Sequence, residues 1–221
     1  MYTKKELQEL GQWCVKNNIW IISDEVYEKI AFSDNTNHVS IASLSSDIFK
    51  NTVTINGLSK SHCMTGWRVG YAAGPAKVIS AMNDFQSQFL SHIPTFVQIA
   101  SITALKDDSF IPIMVEEYKG RKDLIIKLIK EHMPLAEYVI PDGAFYIFPN
   151  IKKYFGKKTQ NGKVIINAND FCEYILEEAR VAIVPGDGFG SPNNVRFSLA
   201  VSPILITNGL QAIGRALNFL E

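Results

Sequence analysis

The first chemical feature of the sequence is a lysine that is followed eight positions later by an arginine. Lys60 lies in a run of small residues, and Arg68 is bracketed by Gly66 and Gly70. A lysine amine attacks carbonyl groups when it is partly desolvated or set beside another cation, and an arginine presents a planar fork that matches a phosphate. The pair has the chemistry needed to hold a phosphorylated aldehyde covalently. On charge alone, two solvated cations in a surface loop remain the simpler explanation.

The elements around these residues favour a ligand-binding site over a solvated surface loop. The alternating run 52–55 predicts a short strand that leads into the lysine loop. The continuous apolar run 19–22 predicts a strand buried on both faces, and it ends in the polar segment SDEVY at 23–27. In open α/β sheets, ligands bind at the carboxyl ends of the strands. Segment 23–27 is therefore placed where a ligand would be expected.

The remaining pattern predicts two domains. Residues 1–108 read as an α/β domain, and residues 109–221 as a smaller α+β domain, with a long helix near 109–132 between them. Further short strands are predicted at 138–140, 145–148, 181–184 and 195–199. The α/β sheet would have about three strands, against about 5–6 in an average sheet, so we expect further sheet upstream.

Composition excludes several classes of protein. The 221 residues carry 22 basic and 22 acidic side chains, so there is no basic field for nucleic acid or for a membrane surface. The three scattered cysteines have no metal-type spacing and read as reduced thiols of a cytoplasmic protein. We expect no metal site.

Five ordered segments carry a resemblance to a known family. They are SDEVY at 23–27, NGLSK at 56–60 with TGWRVGY at 65–71, PDGAFY at 141–146, VPGDGFG at 184–190 and NVRFS at 194–198. Together they strongly resemble class I/II aminotransferases, the fold type I pyridoxal-phosphate (PLP) enzymes, within their aspartate/aromatic branch. The resemblance covers essentially the whole chain and implies part of a PLP-binding large domain at 1–108.

The resemblance implies roles for three residues at the centre of the site. Lys60 resembles the lysine that forms the Schiff base with PLP and moves the proton. Asp24 resembles the carboxylate beneath the pyridine nitrogen, where an anion keeps that nitrogen protonated. Tyr27 resembles the phenol that hydrogen-bonds the 3′-oxygen of the cofactor.

It also implies ligands for the two anionic groups. Arg68 resembles the phosphate-binding arginine, with Ser59 as a second candidate for the phosphate. Arg196 resembles the arginine that grips the α-carboxylate of the substrate. His62, although it lies in the reactive loop, is interpreted as a bystander. The implied reaction moves an amino group from an amino acid, with aspartate one candidate among others, to a 2-oxo acid.

Compared with the family, the sequence lacks a first half, so we expect a C-terminal part that either forms a homodimer or pairs with the missing half. Sheet strands without neighbours would be exposed edges that favour association. Two other functions stay open. One is a PLP-dependent lyase or decarboxylase on the same scaffold, and the other is a truncated, non-catalytic interaction or dimerisation module.

Overall fold

A computed structural model of the chain describes residues 1–32 and 38–221. The described residues form two compact units, Met1–Val115 and Glu116–Glu221. The sequence predicts a domain boundary after residue 108, whereas the units divide within the long helix, which spans Ile111–His132. Each unit contains a three-stranded sheet. Within the described ranges, none of the helices has both the length and the apolar run that crossing a bilayer requires.

In the first unit, helices and strands alternate until the third strand, after which three helices follow one another, and in the second unit two of the three strands have only two residues. The helices are α1 Lys4–Lys16, α2 Ser46–Lys50, α3 Leu58–Ser61, α4 Ala76–Phe89, α5 Thr95–Lys106, α6 Ile111–His132, α7 Ala168–Ala179 and α8 Pro203–Leu217. The strands are β1 Ile21–Asp24, β2 Thr52–Gly57, β3 Gly70–Ala73, β4 Tyr146–Ile147, β5 Val184–Pro185 and β6 Val195–Ser198.

Helix α1 begins where its sequence predicts. The Thr3 hydroxyl accepts a hydrogen bond from the Glu6 backbone N–H, and the Glu6 carboxylate accepts one from the Thr3 backbone N–H, which completes a capping box. Gly11 and Cys14 form the buried side of this helix. A Cβ on Gly11 would lie 2.6 Å from the Cδ1 atom of Ile48, so the glycine leaves room for the Ile48 side chain of α2 against α1.

The first sheet has the order β1-β2-β3, with β1 parallel to β2 and β3 antiparallel to it. In this register Asp24 pairs with Ile55, and Gly57 pairs with Gly70. A Cβ on Gly70 would lie 3.1 Å from the Asn56 carbonyl oxygen, so glycine permits a tight start to the antiparallel pair. The carboxyl ends of β1 and β2 and the amino end of β3 therefore meet at one edge.

The prediction that run 19–22 is buried on both faces is wrong. The strand begins at Ile21 rather than at Ile19, and the side chain of Ile22 is 72% exposed. Trp20 is also largely exposed. Parallel strands are normally covered on both faces, and here an apolar face of β1 has no covering layer among the described residues.

Helix α4 carries a second exposed apolar surface. An open groove, called the α4 groove below, is lined by Val78, Met82, Phe85, Phe89 and Ile93 together with their neighbours. Phe85 and Phe89 stack with their ring centroids 4.7 Å apart, yet their side chains are 66% and 74% exposed. Exposed apolar patches of this kind are typical of surfaces that bind another polypeptide.

The second unit has an antiparallel sheet of order β4-β6-β5. Its core contains the fully buried side chains of Ile147, Phe171, Ile175 and Ile213. The predicted strand at 138–140 is wrong, since the only pairing near it is an isolated bridge between Glu137 and Asn150 among the described residues. The strand predicted at 181–184 is shortened to β5, which begins at its last residue.

Candidate active site

Three of the predicted site residues lie at one edge of the first sheet. Asp24 is the last residue of β1, Lys60 follows β2 within α3, and Arg68 immediately precedes the loop into β3. Because β1 and β2 are parallel and β3 is antiparallel to them, these positions converge at the same end of the sheet. This is the edge at which open α/β sheets bind ligands.

The Lys60 amine lies close to the Tyr27 ring. Its Nζ atom is 5.7 Å from the ring centroid, within the range of a cation–π contact. Both side chains are partly buried. Helix α3 holds the lysine in place, because the neighbouring side chains of Leu58 and Ser61 are buried beneath it. An amine and a phenol thus face each other at the sheet edge.

The Asp24 carboxylate stays exposed at the end of its strand. Its Oδ1 atom accepts a hydrogen bond of 3.2 Å from the backbone N–H of Val26, which starts the turn that follows β1. The turn continues with a 2.8 Å bond from the Glu28 N–H to the Glu25 carbonyl and a 2.9 Å bond from the Ile30 N–H to the Tyr27 carbonyl. The same turn therefore presents Asp24 and Tyr27.

The Arg68 loop is closed by its own hydrogen bonds. The Nη1 atom of Arg68 donates to the Thr65 carbonyl oxygen at 2.9 Å, and the Thr65 hydroxyl donates to the Ser59 carbonyl oxygen at 2.9 Å. Thr65 thus links the two candidate phosphate ligands. Thr65 has no predicted role from the sequence, although it lies between them in the segment TGWRVGY. Arg68 itself is exposed and adopts a left-handed backbone conformation with φ of 53°.

The contacts of the His62 ring are with Ser61, Ala104 and Phe110. Its Nε2 atom lies 3.0 Å from the Ala104 carbonyl oxygen, and its Nδ1 atom lies 2.8 Å from the Ser61 hydroxyl. The ring also makes an edge contact with Phe110, with the centroids 5.6 Å apart. These contacts join the lysine loop to α5 and the residues after it, so they support a packing role for the imidazole.

Tyr71 adds a neutral phenol on β3 near this edge. Burial raises the pKa of its hydroxyl above the usual range, and the charge of Glu28 raises it further. It pairs across the sheet with the buried Asn56, whose Oδ1 atom accepts a hydrogen bond of 2.7 Å from the Gly57 N–H. The end of β2 that precedes the lysine loop is therefore held both by its pairing with β3 and by the hydrogen bond between Asn56 and Gly57.

Arg196 lies on β6 of the second unit and is held by aromatic rings. Its guanidinium carbon is 4.4 Å from the Tyr146 ring centroid and 4.5 Å from the Phe189 ring centroid. Phe189 in turn makes an edge contact with Phe148 at 6.0 Å. Stacking fixes the plane of the guanidinium while leaving its N–H groups directed outward along that plane, an arrangement that suits bidentate binding of a carboxylate.

Comparison with known proteins agrees with this arrangement of elements. Residues 1–213 match the family described as aminotransferase class I and II. The chain belongs to this family. Members of the family that match it include the aspartate aminotransferase of Bacillus subtilis strain 168, 42% identical over 216 residues, which cover 97% of this chain and 53% of that protein.

Some other matching proteins bear a different activity name. The asparagine–oxo-acid transaminase of Streptococcus mutans is 38% identical over 222 residues, covering 100% of this chain and 54% of that protein. Among solved structures, the aspartate aminotransferase of Rhizobium meliloti superposes with a TM-score of 0.94 at 35% identity, covering 100% of this chain and 55% of that one. The aromatic aminotransferase of Pyrococcus horikoshii OT3 gives a TM-score of 0.89 at 37% identity, covering 99% and 56%.

The chain therefore spans about half the length of the curated relatives it matches, 53% in the Bacillus subtilis case. The family likeness establishes an α/β fold of the aminotransferase type for the part present. Activity, substrate and partners of the whole enzyme are a separate question, which the side chains at the sheet edge address.

Proposed function

We propose that this chain supplies the cofactor-binding lysine site of a PLP-dependent aminotransferase. The observation that carries the proposal is the placement of an acid, a phenol, an amine and a guanidinium at one edge of the first sheet. Asp24, Tyr27, Lys60 and Arg68 provide these groups. That donor set fits PLP, which offers a ring nitrogen, a ring oxygen, an aldehyde and a phosphate.

When bound, PLP supplies an electron sink that weakens the bonds around the α-carbon of an amino acid. The protein side chains have simpler tasks. With PLP bound, the Asp24 carboxylate would accept a hydrogen bond from the ring nitrogen and hold the proton there. The Tyr27 hydroxyl would donate to the ring oxygen. The Lys60 amine would hold the aldehyde carbon, and its Nζ atom would serve as the group that moves a proton.

The anionic groups are assigned to the two arginines. Arg68 is proposed to bind the phosphate, and its bond to the Thr65 carbonyl holds the fork beside the Ser59 segment. The hydroxyl of Ser59 is proposed as a second phosphate ligand. Arg196, which contacts two aromatic rings, is proposed to bind the α-carboxylate of the amino acid and of the 2-oxo acid.

A partner polypeptide is proposed to complete the protein, either a second copy of the chain or a polypeptide corresponding to the half of its relatives that it does not match. The support is physical: the α4 groove and the face of Ile22 expose apolar side chains that a folded enzyme normally covers. We further propose that the protein acts in the cytoplasm, since its three cysteines are free thiols.

Amino transfer is tested by incubating the chain with PLP, aspartate and 2-oxoglutarate and measuring oxaloacetate. Arg196→Gln should raise the KM for the amino acid about 10- to 100-fold, because a charge-assisted bidentate pair is lost. Arg215→Gln is the matched control, since Arg215 is an exposed arginine on α8 of the same unit. Equal KM values for the two variants would contradict the assignment of Arg196.

The lyase or decarboxylase alternative gives a different product. Supplied with an amino acid and PLP but no 2-oxo acid, a β-lyase forms pyruvate and ammonia continuously, whereas an aminotransferase stops after one turnover. A chain that forms no product and retains no PLP would make the proposal wrong and would favour the non-catalytic module.

A further inference from the structure

Glu25 is a buried carboxylate within the turn that presents two of the proposed site residues. Its side chain is among the most buried polar groups of the first unit, at 6% exposure, whereas the neighbouring Asp24 is exposed. A buried ionised group is costly unless hydrogen-bond donors surround it. The hydrogen-bond donors around Glu25 therefore decide whether its carboxylate can be buried without a large cost.

Three side chains donate to the Glu25 carboxylate. Its Oε1 atom accepts hydrogen bonds of 2.9 Å from the hydroxyls of Ser23 and Ser40. Its Oε2 atom lies 3.0 Å from Nε2 of His38. The His38 contact is a hydrogen bond in the tautomer that carries the ring proton on Nε2, because a carboxylate oxygen accepts. Both carboxylate oxygens are thus satisfied.

The Glu25 backbone is fixed as firmly as its side chain. Its N–H donates to the Ile55 carbonyl at 2.8 Å, and its carbonyl accepts from the Glu28 N–H at 2.8 Å. The first bond ties the turn to β2, the strand that leads into the lysine loop. The side-chain contacts tie the same turn to segment 38–40. One residue therefore joins three parts of the first unit.

A metal site is the alternative use of this cluster. Ligand atoms of Glu25, Glu28 and His38 lie within 4.8 Å of one another. However, the hydrogen bonds to Ser23, Ser40 and His38 already engage both oxygens of Glu25. A complete hydrogen-bond network at the base of a turn serves to hold that turn, so the contacts favour an anchor over a cation site.

We propose that Glu25, held by His38, is a positioning residue that sets the placement of Asp24 and Tyr27 relative to Lys60. The inference rests on the proposed function, since it concerns how the PLP-binding groups are oriented. It adds two residues, Glu25 and His38, that none of the sequence motifs assigned a role.

Two independent readouts on the 221-residue chain test the proposal. The first is amide hydrogen exchange of segment 23–30, measured without cofactor by mass spectrometry. The second is the PLP dissociation constant, measured by titration of the visible absorbance. The variants are Glu25→Ala, His38→Ala and His38→Gln, in which the glutamine amide can still donate to the carboxylate.

Tyr154→Phe is the control for a general loss of stability. It removes the hydroxyl that accepts a 3.2 Å hydrogen bond from the Leu135 N–H, within the second unit, whereas segment 23–30 belongs to the first. All measurements are made at a temperature at which circular dichroism shows each variant folded. Should Glu25→Ala fail to fold, the comparison of the two His38 variants decides the outcome.

The expected result is specific to the turn. Glu25→Ala and His38→Ala should each speed exchange in segment 23–30 and weaken PLP binding by about tenfold, the effect of losing one buried hydrogen bond to a charged group. His38→Gln should restore both values to near those of the wild type. Tyr154→Phe should change neither.

Unchanged exchange and unchanged PLP affinity in both alanine variants would overturn the proposal, as would an equal effect of Tyr154→Phe. Failure of the wild type to bind PLP would overturn the proposed function instead. In that case the exchange measurement still decides whether Glu25 and His38 hold the turn.

Discussion

Arg68 combines a functional side chain with an unusual backbone conformation. Its φ of 53° lies in the left-handed region, which a non-glycine residue occupies at a cost of about 1–3 kcal/mol. Cys63, in the same loop, has the same φ. The hydrogen bond from Arg68 to the Thr65 carbonyl offsets part of this cost and turns the guanidinium back toward the loop. Strain at two positions in one loop is typical of a segment shaped for a ligand.

Thiol reactivity offers a test of the loop at the residue scale. Burial, together with a smaller effect of the Asp187 charge, raises the pKa of the Cys172 thiol to about 12, so almost no thiolate forms there at pH 8. Cys14 is also buried, whereas Cys63 is exposed in the lysine loop. We expect Ellman's reagent to modify only Cys63 rapidly at pH 8.

The control is Cys63→Ser, which should abolish the rapid phase of thiol modification. In urea, all three cysteines should react. Rapid modification of Cys172 in the folded protein would show that its thiol is not buried as the structure has it.

At the scale of elements, the turn after β5 depends on one glycine. A Cβ on Gly186 would lie 2.6 Å from the Asn194 carbonyl oxygen and would also contact the Ser191 carbonyl oxygen, while one on Gly188 would meet no atom within 4 Å. Gly186→Ala must therefore push apart the loop that precedes β6, which carries Arg196.

We expect Gly186→Ala to lower the free energy of unfolding by about 2 kcal/mol, in the range of an overpacked site. Gly188→Ala, in the same 3₁₀ turn, is the matched control and should change it by less than about 0.5 kcal/mol. Chemical denaturation of both variants measures the difference. Equal stabilities would show that the turn relaxes without cost.

The elements that the sequence predicts well are those whose signals are local. The capping box at Thr3 and the alternating run before Lys60 specify α1 and β2 without help from distant residues. Segment 138–140 has strand-like residues but pairs with no strand in the described structure, because strand formation depends on a partner that the local sequence does not reveal.

In the candidate site, too, some residues have local sequence signals and others depend on contacts with distant residues. Asp24, Tyr27 and Lys60 are visible in the sequence because family-like motifs carry them, and the sheet register explains why Asp24 and Lys60 share an edge. The contact between Glu25 and His38 joins residues 13 positions apart through tertiary packing. No local pattern announces such a pair, so the sequence alone could not predict it.

At the scale of the whole molecule, the exposed apolar surfaces and the length of the relatives both favour contact with a further polypeptide. The α4 groove and the Ile22 face would normally be covered, and the Bacillus subtilis relative has about twice the matched length. Contact with a further polypeptide would remove this apolar area from water, at about 25 cal/mol for each Å² buried.

We therefore expect the isolated chain to associate. Light scattering after size exclusion should give a mass above the 24.7 kDa of one chain. The double variant Phe85→Glu and Phe89→Glu should shift the protein toward the monomer, because it places charge in the α4 groove. Val139→Glu, at an exposed apolar position of the second unit, is the control and should not.

A well-behaved monomer of the wild-type chain would contradict association through these surfaces. Addition of a polypeptide corresponding to the unmatched half of a relative separates the two proposed partners. A heterodimer that forms at the expense of the self-associated species favours that half, and an unchanged homodimer favours the second copy.

The central claim, that Lys60 is the PLP-binding lysine, is tested most directly by trapping the cofactor. The chain is incubated with PLP, reduced with borohydride, digested and analysed by mass spectrometry. We predict one cofactor mass on the peptide that contains Lys60, retained in Lys77→Gln, a variant of an exposed lysine on α4, and lost in Lys60→Ala. No adduct, or adducts spread equally over surface lysines and unaffected by Lys60→Ala, would contradict the claim.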